Sequence, residues 1–334
     1  MRRFYSVFDA ASCRRMSTHR RGGGQKDPFQ YCTDVVKRGD YDGYLYSLLQ
    51  GSKRRQAALA IRAFNVETAA IKDSVRGNSM PGRMRMQWWK DSIADVFAGE
   101  PPLQPITLAL ADVVGRQKHR LTRRWFDRVL DARMADLEKT QPATINDMES
   151  YAENTASSLL YLSLEMAGIH AGTQMKGVDE LGHAASHVGK AVGMCILLRS
   201  LGQPPPDGKI GFVESCALPA AVMRKFLLTH SVLQRGPKSE KEAHSLAECV
   251  FEVATVAKGH VDAAGDGLEA TREKVGGALP AGAFAALLPG VRAAWYLEML
   301  EICQFNPYDP RLRPRSPLGF QMRLGKSMFT EKFL

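Results

Sequence analysis

Apolar residues recur along most of this chain at steps near 3.6, the period of a helix with one buried face. Ala57, Ile61, Phe64, Ile71 and Val75 form one such run. Met148, Tyr151, Thr155, Leu159, Leu162 and Met166 form a second, and Leu246, Cys249, Val250, Val253, Val256, Ala257, His260 and Val261 a third. Thr144, three residues ahead of Asp147, has the form of a capping box opening the second run. Alternating Val/Ile/Thr segments bounded by Asn-Gly or Asp-Gly turns are absent. The pattern breaks at residues 77–82, 99–105, 202–208 and around 280–282, stretches short enough to join consecutive helices, and no repeat period is evident. These features predict an all-α fold, with residues 27–334 as one helical domain.

Composition narrows the class. With 45% hydrophobic and 24% charged residues in 334, the chain has the makings of a folded core rather than of a disordered or low-complexity protein. No uninterrupted stretch reaches the roughly 18 uncharged apolar residues of a membrane-spanning helix, which argues against an integral membrane protein. The net charge is +10, but residues 1–26 hold Arg2, Arg3, Arg14, Arg15, Arg20, Arg21 and Lys26 against Asp9 alone. The body is therefore only mildly basic, and no nucleic-acid partner is expected. The first 26 residues are rich in Arg and Ser, carry Phe4, Tyr5, Val7 and Phe8, and end in Gly22, Gly23 and Gly24. That composition fits a mitochondrial presequence and lacks the apolar block of a secretory signal; a plain basic arm is the alternative. Six cysteines without a CxxC pair read as free, mostly packed thiols rather than a zinc site or disulfide framework.

Three segments carry a resemblance. They are RRQAALAIRAFNVETAAIKD at 54–73 with RMQWWKDSIADVFA at 85–98, YAENTASSLLYLSLEMAG at 151–168, and VGKAVGMCILLRS at 188–200. In order and spacing they are similar to the squalene/phytoene synthase family, over roughly residues 35–330. The resemblance implies a single helical bundle of the trans-isoprenyl diphosphate synthase type. In that family Mg²⁺ ions bridge a prenyl diphosphate to carboxylates spaced four apart on facing helices, a step of about 400° that returns to the same helix face.

Matched to that pattern, the carboxylates are missing. Ala69 and Ala70 stand at the leading acidic pair of the first motif, leaving Asp73. Glu67, the other acid between 54 and 77, lies about 120° around the helix from Asp73. In the second motif Ile196 and Ser200 replace the asparagine and aspartate, Gln203 and Pro204 replace the later acidic pair, and residues 181–206 contain no Asp or Glu. The expectation is a pseudoenzyme with no catalytic residue, metal or cofactor, whose vestigial pocket retains Asp73, Trp88, Tyr151 and Arg199. The resemblance points to a non-catalytic mitochondrial branch of the family tied to assembly of respiratory complex I (NADH:ubiquinone oxidoreductase). It implies a matrix protein, peripheral to the inner membrane, that meets complex I subunits, assembly intermediates or other assembly factors. The alternatives are a prenyl-diphosphate transferase of altered mechanism using Asp73 or Glu153, and a prenyl or phospholipid carrier.

Four features have both a bland and a sharp reading. His183 and His187 have zinc-ligand spacing but no third ligand nearby in sequence, and are expected to be ordinary surface or core histidines. Trp88 and Trp89 point about 100° apart, so one is expected in the core and the other half-exposed. Arg199 is expected to meet either an anionic head group or a distant carboxylate. The basic amphipathic tail, from about residue 311, is expected to pack on the bundle, with an anionic bilayer as the alternative.

Overall fold

The computed structural model describes residues 27–75, 79–116, 121–170, 175–202, 216–313 and 317–333. The basic segment 1–26, Gln203, Pro204 and the final residue lie outside the described residues. Among the described residues there is no β-strand. Helix α1 (Pro28–Gly39) starts with Asp27 accepting from the Phe29 N–H, and α2 (Tyr41–Leu49) with Asp40 accepting from the Gly43 N–H at 2.9 Å. The first apolar run becomes α3 (Ser52–Asp73), followed by α4 (Met80–Ala98) and α5 (Pro105–Arg116). Helix α4 ends at Gly99 with φ +87°, a left-handed cap that glycine takes without steric cost. The break anticipated across 77–82 is shorter than the glycine and proline suggest. Pro81 and Gly82 lie in the first turn of α4, where a missing N–H costs nothing.

Helix α6 (Arg123–Asp136) is capped from outside. The buried Glu165 carboxylate accepts from the Thr122 backbone N–H and from Trp125 Nε1, both at 2.8 Å, and places negative charge at the positive end of the helix. The second apolar run is a rod in three parts: α7 (Ile145–Ala152), one π turn (Glu153–Ser157) and α8 (Ser158–Met166). Both halves of the Thr144–Asp147 capping box are present at its start. Helix α9 (Val178–Leu201) follows, then the short α10 (Ala220–Lys225) and α11 (His230–Arg235). The third run extends to 36 residues as α12 (Glu240–Val275). The chain closes with α13 (Ala283–Leu287), α14 (Pro289–Ile302) and α15 (Leu318–Thr330).

Two hydrophobic clusters organise the bundle. The first gathers α1, α3, α4, α5 and α6 around Phe64, Trp89, Ile93, Leu110, Phe126 and Leu130, with Leu162 and Met166 reaching in from α8. The second surrounds α9, which packs on α12, α14 and the α7–α8 rod and takes in Tyr46 from α2. The rod thus belongs to both. The five described cysteines are buried free thiols, as their spacing suggested.

Helix α9 is long and apolar enough to cross a membrane by length and composition, which the sequence reading had not found. Half of the window that qualifies is buried inside the bundle, so its apolar character serves the core. It approaches the rod closely because Gly189 and Gly193 face it. A Cβ on Gly189 would run into the Ser157 backbone, and one on Gly193 into Ala152. The π turn sits at that contact, with the Ser157 hydroxyl donating to the Ser186 carbonyl of α9 at 3.0 Å.

Candidate functional site

The candidate residues fall into two sets at the C-terminal ends of α3 and α9. At the end of α3, Asp73 is exposed and Tyr151 of α7 is half-buried. Beside Tyr151 lies a residue that the sequence pattern does not single out, Arg133 of α6, 8% exposed. Its Nη1 donates to the Asn65 carbonyl at 3.0 Å and to Thr68 Oγ1, and its Nη2 to Asn65 Oδ1 at 2.6 Å. The Tyr151 phenol is a further hydrogen-bonding neighbour. Burial pushes the Arg133 pKa down, while Tyr151 and Asp136 hold it up. Burial also pushes the Tyr151 phenol up, aided by Asp136 and Asp73 and opposed by Arg133. Beside them Lys72 Nζ donates to Asp136 Oδ2 at 2.7 Å and to the Lys139 carbonyl at 2.9 Å. Arg133 and Lys72 are thus both held by groups of the chain itself near the end of α3. Glu67 faces elsewhere: burial raises its pKa against the pull of Arg38, and its field falls on Tyr31 and Cys32 of α1. Ala69 is exposed and Ala70 half-buried.

The end of α9 has different partners. Arg199 pairs with Asp42 of α2 at 3.7 Å, and Arg292 of α14 approaches the same carboxylate oxygen at 3.2 Å. Of the two expectations for Arg199, the distant carboxylate is the one found. Tyr46, Tyr296 and Cys195 surround these groups. Burial lifts the Tyr296 phenol and pushes the Cys195 thiol up to about 12, against the opposing pull of Arg199 and Arg292. Ile196 is 55% exposed, and Ser200 is exposed with its hydroxyl donating to the Leu197 carbonyl at 2.6 Å.

Trp88 and Trp89 divide as their angular offset predicts. Trp89 is buried edge-on against Phe64, while Trp88 is 43% exposed and meets Trp89 edge-on at 5.1 Å between centroids. Trp88 is thus a surface residue of α4, away from Arg133. The structure unites Asp73 with Tyr151 and gives Trp88 and Arg199 other surroundings. Arg133 had a signal in the sequence: Phe126, Val129, Leu130 and Arg133 share one helix face and are all buried.

Between the two ends, Glu153 on the π turn accepts from Tyr161 Oη at 2.8 Å and Ser186 Oγ at 2.6 Å, with Arg128 at 3.6 Å. Burial raises its pKa, but the hydroxyl donors outweigh it and the carboxyl titrates below its ordinary value. His187 Nδ1 meets His260 Nδ1 at 2.8 Å, and His260 Nε2 meets Glu149 Oε1 at 2.6 Å. His183 is exposed. Among the described residues no group of three or more His, Cys, Asp or Glu side chains is placed to hold a metal ion. The tail packs on the bundle through Phe320, Leu324 and Phe333, and Arg323 pairs with Glu298 of α14. Its helix runs unbroken through Gly325.

The helix order and the close seat of α9 on the α7–α8 rod make an all-helical bundle, the fold class that the sequence resemblance implies. A family model for squalene/phytoene synthase matches residues 36–319, and the chain belongs to that family. Among solved structures it is similar to squalene synthase HpnC from Alicyclobacillus acidocaldarius, with TM-score 0.65 and 16% identity over 84% of this chain and 95% of that one. Within the family it is similar to "NADH dehydrogenase (ubiquinone) complex I, assembly factor 6" of Bos taurus, 35% identical over 89% of this chain and 81% of the relative. The Homo sapiens protein of the same name is 33% identical with the same coverage.

Proposed function

We propose that this protein is an assembly factor of respiratory complex I, built on a prenyl synthase scaffold that no longer performs prenyl transfer. The observation that carries this reading is the 33–35% identity, over 89% of the chain, to proteins named for complex I assembly. The side chains at the two helix ends support the loss of chemistry. Mg²⁺ prefers several oxygen ligands in near-octahedral array. The end of α3 offers it one exposed carboxylate, Asp73, while the Asp136 carboxylate is already held by Lys72 at 2.7 Å. The end of α9 offers Ile196 and Ser200, and its nearest carboxylate, Asp42, already serves two arginines. These residues do not fit a metal-bound diphosphate, and no catalytic step is derived through one. In place of chemistry the fold supplies surface: a rigid bundle that meets complex I subunits, their assembly intermediates or other assembly factors. The basic, acid-poor residues 1–26 support import into mitochondria, and we place the mature protein, residues 27–334, in the matrix at the inner-membrane surface.

Deletion of the gene tests the role. Assembled complex I, measured on native gels, falls in cells lacking the protein and returns when it is re-expressed, with Asp73→Ala restoring it as fully as the natural chain. Normal complex I in the deletion cells would reject the proposal.

A further inference from the structure

Helix α15 has two apolar faces, and the bundle uses one of them. Phe320 and Leu324 are buried against α14, with the Phe320 ring tilted against Trp295 at 5.7 Å and the Arg292 guanidinium 4.7 Å from its centre. The second face points outward. Leu318, Met322 and Phe329 are 72%, 69% and 96% exposed, and with Gly325 they follow steps of 4, 3 and 4 residues. Such steps keep all four positions within about 60° of one another around the helix. Solvated apolar side chains aligned along a whole helix are an unfavourable arrangement that a partner surface relieves.

The charges around this stripe indicate what the partner is. Lys326 lies on its flank, Lys332 follows the helix, and Arg313 precedes it; all three are exposed, and none has an ion pair among the described residues. From Leu318 to Lys332 the sole acid is Glu331, and Arg272 holds it through both its carbonyl, at 2.8 Å, and its carboxylate. The surface is therefore apolar along its ridge and cationic at its edges. Three side chains on one convex helix fall far short of the roughly 800 Å² per partner that a stable protein interface needs. An anionic bilayer accepts such a ridge, with Leu, Met and Phe entering the head-group region and lysines reaching back to the lipid phosphates.

We propose that the outer face of α15, through Leu318, Met322 and Phe329 with Lys326 and Lys332, docks the protein on an anionic phospholipid surface. The proposal deepens the peripheral inner-membrane placement given above and rests on it for the identity of the membrane. The body of the fold is unaffected by substitution here, because Phe329 and Met322 touch little of it and the buried face carries the packing.

Co-sedimentation of the full chain with vesicles tests it. The protein binds vesicles of phosphatidylcholine containing about one part in four phosphatidylglycerol, and binding weakens as salt rises. Met322→Ser with Phe329→Ser lowers the partition constant at least about tenfold with an unchanged melting temperature. Lys326→Gln and Lys332→Gln each lower it roughly fivefold. No binding to the anionic vesicles, or equal binding by the serine variant, overturns the proposal. So does a dimer in solution that the serine variant dissolves, because a second copy would then cover the face. The assay contains no complex I, so a negative result leaves the assembly role standing, and normal complex I in deletion cells leaves the vesicle result standing.

Discussion

The ends of α3 and α9, which the family resemblance implies as two halves of one metal-binding site, are built in different ways. At α3 Asp73 is exposed, Arg133 is buried among Asn65, Thr68 and Tyr151, and Lys72 is held by Asp136. The end of α9 carries an exposed Ile196, a Ser200 bonded to its own helix and Arg199, half-exposed on Asp42. The first half is a dense, buried polar network. At the second, Arg199 is the outer, half-exposed partner of a carboxylate whose inner partner is the buried Arg292. Substitution is therefore expected to weigh far more heavily at Arg133 than at Arg199.

The largest effect is expected at Arg133. Removing it leaves the Asn65 carbonyl, the Asn65 amide oxygen and Thr68 buried without their donor, and Arg133→Ala is expected to cost about 3 kcal/mol in urea unfolding. A loss under about 1 kcal/mol would erase the distinction between the two ends. Next comes the seat that joins them. Gly189→Ala forces a methyl into the Ser157 backbone and is expected to cost about 2 kcal/mol, measured the same way.

Acid sensitivity should concentrate at the same seat. Burial depresses the His187 pKa, aided by the charges of His260, Lys190 and His183 and opposed by Glu153. Its neutral form favours the folded state, so its contribution is complete above about pH 6.5 and is lost as pH falls through the lower folded value. Unfolding titrations at about pH 7.5 and about pH 5 should show a smaller drop for His187→Gln than for the natural chain. An equal drop would assign the acid sensitivity to other groups. The smallest effect belongs to Arg199. Its pair is long and partly solvated, and Arg199→Ala is expected to cost at most about 1 kcal/mol.

Much of the bundle was legible from periodicity, because each helix buries one face and the apolar steps record it. The Thr144–Asp147 cap, the division of labour between Trp88 and Trp89 and the three long runs all follow from that rule. The π turn at Glu153–Ser157 did not show. It shifts the register within an otherwise regular run, at the contact with Gly189 and Gly193 of another helix. The site was less readable for a related reason. The residues that meet at the two helix ends come from elsewhere in the chain: Arg133 from α6, Asp42 from α2 and Arg292 from α14. Arg133 stood on a buried face in plain sequence, but it lay outside the segments that carried the resemblance. The outward stripe of α15 was visible only as tail composition until the structure divided its apolar residues between two faces.

The proposed function turns on whether either helix end can grip a metal-bound diphosphate. Pyrophosphate release from farnesyl diphosphate by the purified chain, with and without Mg²⁺, tests this most directly. The account predicts no release above the protein-free blank in either condition. Mg²⁺-dependent release that disappears in Asp73→Ala would contradict it.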